Sequence, residues 1–225
     1  MNILARGSIN RLEELKQKLV NVDCKLTCID DSDFSSANVT KYDIIFDLKF
    51  DDSPNQLKYY APLKDKWVFV CAVKQQLAKA VFDCGNRVSC NLVGINALPT
   101  FINKPLAELS LYQTNLAEKL KELMTMFNWQ YRLVEDRVGM VTPRIICMII
   151  NEACYTLQEK TANIEDIDTS MKLGTNYPMG PFEWANKIGI KHVYETLEAL
   201  FADTHDERYK VCPLLKTKYL RGESF

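Results

Sequence analysis

Cysteine and histidine are the side chains in this chain that could ligate metal, pair as disulfides or attack as nucleophiles. There are eight cysteines, Cys24, Cys28, Cys71, Cys84, Cys90, Cys147, Cys154 and Cys212, and two histidines, His192 and His205. A zinc site needs close cysteine pairs such as C-x-x-C, joined by a second pair or by histidines. No such pair occurs, and neither histidine lies near two cysteines. Most of the cysteines sit inside apolar runs, Cys71 in WVFVCAV and Cys147 in RIICMII. This is the pattern of buried, reduced thiols in an intracellular, cytoplasmic protein. No metal is expected, and His192 reads as a helix-surface residue.

The chain has 225 residues, room for one large domain or two modest ones, with 47% hydrophobic and 25% charged residues. A net charge of −1 gives no basic surface to attract nucleic acid. No apolar run reaches the ~18 residues of a membrane span. The opening MNILARGS has neither the apolar core nor the cleavage site of a signal peptide.

Through residues 1–110, short apolar runs alternate with helical patterns. Strands are expected at residues 2–5, 25–29, 42–48 (YDIIFDL), 67–73 (WVFVCAV) and 91–95. Helices are expected at 11–19, 55–63 and 75–82. Near-continuous apolar strands separated by helices describe a parallel sheet covered on both faces, an α/β doubly wound domain. A further strand at 106–111, a helix at 115–128 with Leu116, Leu120, Leu123 and Met124 facing inward, and a last strand at 129–134 complete it.

From residue 138 onward the pattern is helical, and the join near Asp136 divides the chain into domains 1–136 and 137–225. Residues 144–159 form a long helix, apolar nearly all round, suited to the centre of a bundle. Residues 163–190, NIEDIDTSMKLGTNYPMGPFEWANKIGI, read as helix, stiff corner, helix. Asn163 caps the first helix, with Glu165 and Asp166 in the turn where carboxylates suit the dipole. Ile164, Ile167, Met171 and Leu173 are spaced for one apolar face, and Gly174 stands at the expected C-cap. Pro181 opens the next helix. Amphipathic helices follow at 192–201 and 209–219.

These residues carry a resemblance. The 3-hydroxyacyl-CoA dehydrogenases have the segments D-x-P-G-F-V-x-N-R, N-E-A, E-D-I-D-x-x-M-x-x-G and P-M-G-P-F-x-x-x-D-x-x-G. Their counterparts here are residues 136–144, 151–153, 165–174 and 178–189. The chain therefore resembles that family, 3-hydroxybutyryl-CoA dehydrogenases included, from Asp136 to about Leu215. The resemblance implies a Rossmann-like first domain, a helical second domain that makes a homodimer, NAD as cofactor and an acyl-CoA ligand. The family's reaction passes hydride from the 3-hydroxyl carbon to NAD, with a histidine base oriented by a glutamate.

Carried over residue by residue, the resemblance implies the following site. The phosphate loop is Ala5-Arg6-Gly7-Ser8-Ile9-Asn10, which keeps Gly7 of three glycine places; Ala5 and Asn10 are expected to crowd the turn or the helix packing. Asp30 fits the family's ribose-binding acid, or is a turn residue in solvent. Asp47 falls at a cofactor-side glutamate. Asn96 stands at the histidine position and Glu108 at the orienting glutamate. The serine-bearing segment becomes Ala72-Val73-Lys74-Gln75-Gln76, and Pro143 replaces the asparagine before Arg144. The helical pair that helps hold CoA has shrunk to DSDFSSANVTK between Asp30 and Tyr42. Asparagine cannot take up a proton near neutral pH. The expected function is thus that of a family dehydrogenase with weak or no activity. The alternative is a non-catalytic homodimeric member, a pseudoenzyme kept for assembly or for holding a nucleotide or acyl ligand.

Overall fold

A computed structural model describes residues 1–30 and 38–225. It divides into two compact units, Met1–Met140 and Val141–Phe225. The division falls four residues beyond Asp136 because Asp136 belongs to the first unit. Its Oδ1 accepts from Leu77 N at 2.7 Å and its Oδ2 from Ala78 N at 2.9 Å, a carboxylate at a helix N-terminus. Gly139 N then donates to Val73 O.

The first unit runs β1 (Asn2–Arg6), α1 (Ile9–Lys18), β2 (Lys25–Ile29), β3 (Ile44–Asp47), α2 (Leu57–Tyr60), β4 (Trp67–Cys71), α3 (Leu77–Asp83), β5 (Asn91–Ile95), β6 (Leu106–Leu111), α4 (Ala117–Phe127) and β7 (Gln130–Leu133). The sheet order is β2-β1-β3-β4-β5-β6-β7. β3 is buried at every residue and β4 from Val68 to Cys71, as strands covered on both faces require. Phe46 stacks on Phe69 at 4.7 Å, with Trp129 beside Phe46. On α1, Leu12 and Leu15 turn inward.

The sheet is not parallel throughout. β6 pairs antiparallel with β5, and β7 runs parallel to β6. Residues 96–105 hold no helix, so the chain turns back without a crossover and β6 reverses. The helix expected over 55–63 shortens to α2, preceded by a 3₁₀ turn at Pro54–Gln56.

The second unit runs α5 (Thr142–Gln158), α6 (Ile164–Thr175), α7 (Pro181–Ile188), α8 (Ile190–Thr204) and α9 (Pro213–Arg221). α5 buries Ile146, Cys147, Ile150, Ala153 and Cys154, while Ile145 stays exposed. Asn163 caps α6 as expected, its Oδ1 accepting from Asp166 N at 2.9 Å. The helix runs through Gly174, and Asn176, at φ 57°, takes the left-handed position instead. Asparagine reaches that region at small cost, so the glycine is not needed there. Leu173 is 82% exposed rather than on the inner face. Two residues past Met171 is roughly 200° around a helix, off the stripe. No helix among the described residues is long and apolar enough to cross a membrane. All eight cysteines are free thiols.

Candidate functional site

β1 lies between β2 and β3, so the chain leaves β1 in one direction and, after β2, crosses back to the other side. Parallel sheets bind ligands at such a switch, beyond the carboxyl ends of the strands. A cleft of about 620 Å³ lies there, lined by Gly7, Ser8, Ile9 and Asn10 from the β1–α1 turn, Asp30 after β2 and Lys49 after β3. Ser8 is the N-cap of α1 and makes no side-chain bond to its own helix. The first-turn N–H groups of a helix have no partner within it, so α1 opens donors toward the cleft.

Gly7 has a packing reason of its own. A Cβ there would stand 3.2 Å from both Cβ and Cδ1 of Leu48 and 3.5 Å from Cγ of Leu12. Alanine and asparagine stand at the two replaced glycine places. Ala5 is buried in the β1 ladder, and Asn10 is exposed, turned away from the helix–sheet contact.

Asp47 faces inward, correcting the expectation of a cofactor-side carboxylate. It is 0% exposed. Arg6 Nη1 donates to its Oδ1 at 3.0 Å and Oδ2 at 2.9 Å, Tyr60 OH to Oδ2 at 2.9 Å, and Lys49 N to Oδ1 at 3.1 Å. Arg6 Nη2 reaches Ser53 Oγ at 2.8 Å. Burial pushes the Asp47 carboxyl up more strongly than the Arg6 guanidinium holds it down. An acid ending a strand looks alike in sequence whether it points to solvent or pairs with a neighbouring strand's arginine, here through the Arg6↔Asp47 register.

Asp51, which carried no signal in sequence, closes the end of β4. Its Oδ2 accepts from Val73 N at 2.9 Å and Cys71 Sγ at 3.3 Å, and its Oδ1 from Lys74 N at 3.0 Å. Lys74 Nζ lies 3.3 Å from Asp52. Burial pushes the Asp51 carboxyl from an ordinary 3.8 to about 6. Between those values the folded chain binds the extra proton, so this group's contribution to stability falls as pH rises through that window. From pH 7 to pH 5 the native chain is expected to gain on Asp51→Asn by about 1 kcal/mol, since roughly one pH unit of the window lies above pH 5. Urea midpoints of both proteins at the two pH values check this, and parallel shifts would contradict it.

Asn96 and Glu108 come together. β5 and β6 pair Ile95 with Leu109, so the next pair outward is Asn96 with Glu108, and Asn96 N donates to Glu108 O at 3.2 Å. Asn96 is 5% exposed, and its Oδ1 is buried with no hydrogen-bond partner among the described residues. The loop carrying Asn96 is pinned to α1, where Thr100 N donates to Glu14 Oε1 at 2.8 Å. Gly94 lets β6 close on β5, since a Cβ there would meet Ser110 Oγ at 2.4 Å. The shortened segment expected to lack a CoA platform falls mostly on residues outside those described; its described end is a 3₁₀ turn, Val39–Lys41.

In the helical unit the motif residues hold the fold. Asp168 of α6 accepts from Phe182 N at 2.8 Å and Glu183 N at 3.1 Å, capping α7 from another helix. Asn151 of α5 donates to Lys210 O at 2.9 Å and accepts from Cys212 N at 2.8 Å, fixing the approach to α9. Arg144 Nη1 donates to Tyr209 OH at 2.8 Å. An apolar groove of about 360 Å³ runs along α5 and α6, past Ile149, Ala153, Ile167 and Met171. Among the described residues no group of three or more His, Cys, Asp or Glu gathers as a metal site.

Comparison with known proteins finds matches to the helical unit by sequence and to the chain by fold. Residues 139–224 match the family model "3-hydroxyacyl-CoA dehydrogenase, C-terminal domain". A 3-hydroxybutyryl-CoA dehydrogenase of Bradyrhizobium diazoefficiens is 40% identical over 105 residues, 47% of this chain and 36% of that protein. The matched stretch thus spans only about a third of that relative. The structure of FadB2 from M. tuberculosis superposes with TM-score 0.77 at 15% identity, covering 98% of this chain and 93% of that one. That of (S)-3-hydroxybutyryl-CoA dehydrogenase from Ralstonia eutropha gives 0.74 at 19% identity, covering 98% and 94%. At such identities the likeness speaks for the fold. The helical unit is thus similar in sequence to the C-terminal domain of the 3-hydroxyacyl-CoA dehydrogenases, and the chain shares the fold of these solved structures.

Proposed function

We propose that this chain is a cytoplasmic member of the 3-hydroxyacyl-CoA dehydrogenase family with weak or no dehydrogenase turnover. The observation that carries the reading is the Asn96–Glu108 pair. β5 and β6 set Asn96 opposite Glu108, and on the resemblance Asn96 stands for the family's base and Glu108 for its orienting glutamate, so that an amide takes the place of the base. Loss of a general base costs about 10²–10⁴-fold in rate. The test is NADH-dependent reduction of acetoacetyl-CoA, measured beside the Bradyrhizobium relative. The expected rate is lower by that factor and unchanged in Glu108→Gln. A rate comparable to the relative's, abolished by Glu108→Gln, would show that the retained acid has taken over the chemistry.

A second reading concerns assembly, and the apolar groove along α5 and α6 favours it. On this reading the helical unit forms a homodimer, and the intact α6–α7 corner is kept for that packing. Light scattering on the eluting protein should give the mass of two chains; a clean monomer at micromolar concentration would rule the dimer out.

A further inference from the structure

We infer that Cys154 of α5 and Cys212, at the head of α9, form a reversible disulfide when α9 lifts under oxidising conditions, and that this bond locks α9 onto α5. Both residues belong to the helical unit, so the bond is detected without any turnover.

Asn151, Cys154 and Gln158 stand three and four places apart on α5 and share one side of the helix. The two outer residues both hold residue 212. Asn151 Oδ1 accepts from Cys212 N at 2.8 Å. Cys212 Sγ donates to Gln158 Oε1 at 3.6 Å, and the same oxygen accepts from Leu214 N at 3.0 Å. Cys154 lies between these two anchors and so turns its thiol toward Cys212. Asparagine has a short side chain, so its bond to Cys212 N also brings the two backbones into the close approach that a disulfide needs. The Cys212 sulfur adds to the burial that pushes the Cys154 thiol up, as a near neighbour does. Both residues are free thiols and 0% exposed.

A buried thiol is inert, and burial pushes both of these up. The reaction therefore runs when α9 lifts. That helix buries one side chain fully, Leu215, and stacks Tyr219 on Tyr194 at 4.1 Å. Opening so small a contact costs less than unfolding the unit. The oxidant is a low-molecular-weight disulfide such as oxidised glutathione. The Cys212 thiolate attacks it, the oxidant's S–S bond breaks, and one thiolate leaves and takes a proton. The Cys154 thiolate then attacks the Cys212 sulfur of the mixed disulfide and expels the second thiolate, which takes the other proton. Two protein thiols are oxidised and one external disulfide is reduced to two thiols. The loop so closed contains α6, α7 and α8, and the bond ties the first helix of the unit to the last. In a reducing compartment such a pair acts as a sensor rather than a permanent staple.

Incubating the folded full chain with oxidised glutathione, then alkylating the remaining thiols, tests this by intact mass and peptide mapping. The chain should lose the mass of two hydrogen atoms and give one linked peptide pair, carrying Cys154 and Cys212, that dithiothreitol separates. Cys154→Ser should stop at a glutathione adduct on Cys212. Cys147→Ser, two turns earlier on α5, should leave the link intact. Gln158→Ala, which releases Cys212 Sγ and Leu214 N, should speed the oxidation by about fivefold. The oxidised chain should also unfold at a higher urea midpoint than the reduced one. Four results would each overturn the inference. These are thiols that stay reduced in the folded chain and oxidise only in urea, glutathione adducts with no internal bond, a link between other cysteines, or a rate that Gln158→Ala leaves unchanged.

Discussion

Gly180→Ala is expected to destabilise the helical unit by roughly 3–5 kcal/mol, through a single methyl group. The backbone is not the reason, since Gly180 has φ −73°, open to any residue. The methyl would lie 2.2 Å from Cγ and 2.4 Å from Cβ and Oδ1 of Asp168. Asp168 cannot step aside without abandoning Phe182 N and Glu183 N, which it accepts at 2.8 and 3.1 Å. Asp168→Ala alone should cost roughly 2–4 kcal/mol, because it strips α7 of its cap and leaves buried N–H groups unpaired. The two changes should not add. With the Asp168 side chain gone the methyl has room, and Gly180→Ala in that background should cost under about 1 kcal/mol. Urea unfolding of the four proteins of this cycle measures it. Additive losses would mean that Gly180 is needed for some reason other than Asp168.

The second large effect is expected at the Arg6–Asp47 pair. Arg6 is 3% and Asp47 0% exposed. Removing either partner strands a buried charge, so Arg6→Ala and Asp47→Ala should each cost about 3–5 kcal/mol. Replacing the whole network by apolar groups, Arg6→Met with Asp47→Leu and Tyr60→Phe, should restore stability to within about 1–2 kcal/mol of the native chain. Tyr60 belongs in the set because its hydroxyl donates to Asp47 at 2.9 Å and would lose its acceptor. If the single variants melt with the native protein, the pair is not holding β1 to β3.

Both effects concern residues that sequence reading left without a role or assigned differently. The reason is physical. What repeats along the chain is legible: the 3.6-residue stripe of α1, the continuous apolar runs of β3 and β4, and the asparagine cap before α6. These depend on residues a few places apart. Asp168 reaches Phe182 fourteen residues on, and Asp51 reaches Val73 twenty-two on, so their meaning exists only in the fold. The reversal of β6 followed from an absent helix over residues 96–105, where Asn96-Ala97-Leu98-Pro99 gave no periodic signal. The candidate site was legible in part. Gly7, Asp30, Asn96 and Glu108 could be placed by resemblance, and the structure sets the first two at one cleft and the last two opposite each other on β5 and β6. Asp47 was misread because type and position along a strand do not tell which way an acid points.

A single turnover tests the central claim most directly, because it isolates chemistry from product release. The chain, in excess over NADH, is mixed with saturating acetoacetyl-CoA and NADH absorbance is followed. With an amide at position 96, NADH should remain unoxidised over the time in which the Bradyrhizobium relative consumes it completely. Full oxidation at a rate close to the relative's would contradict the account and send the search for a proton donor to Glu108 or Lys74.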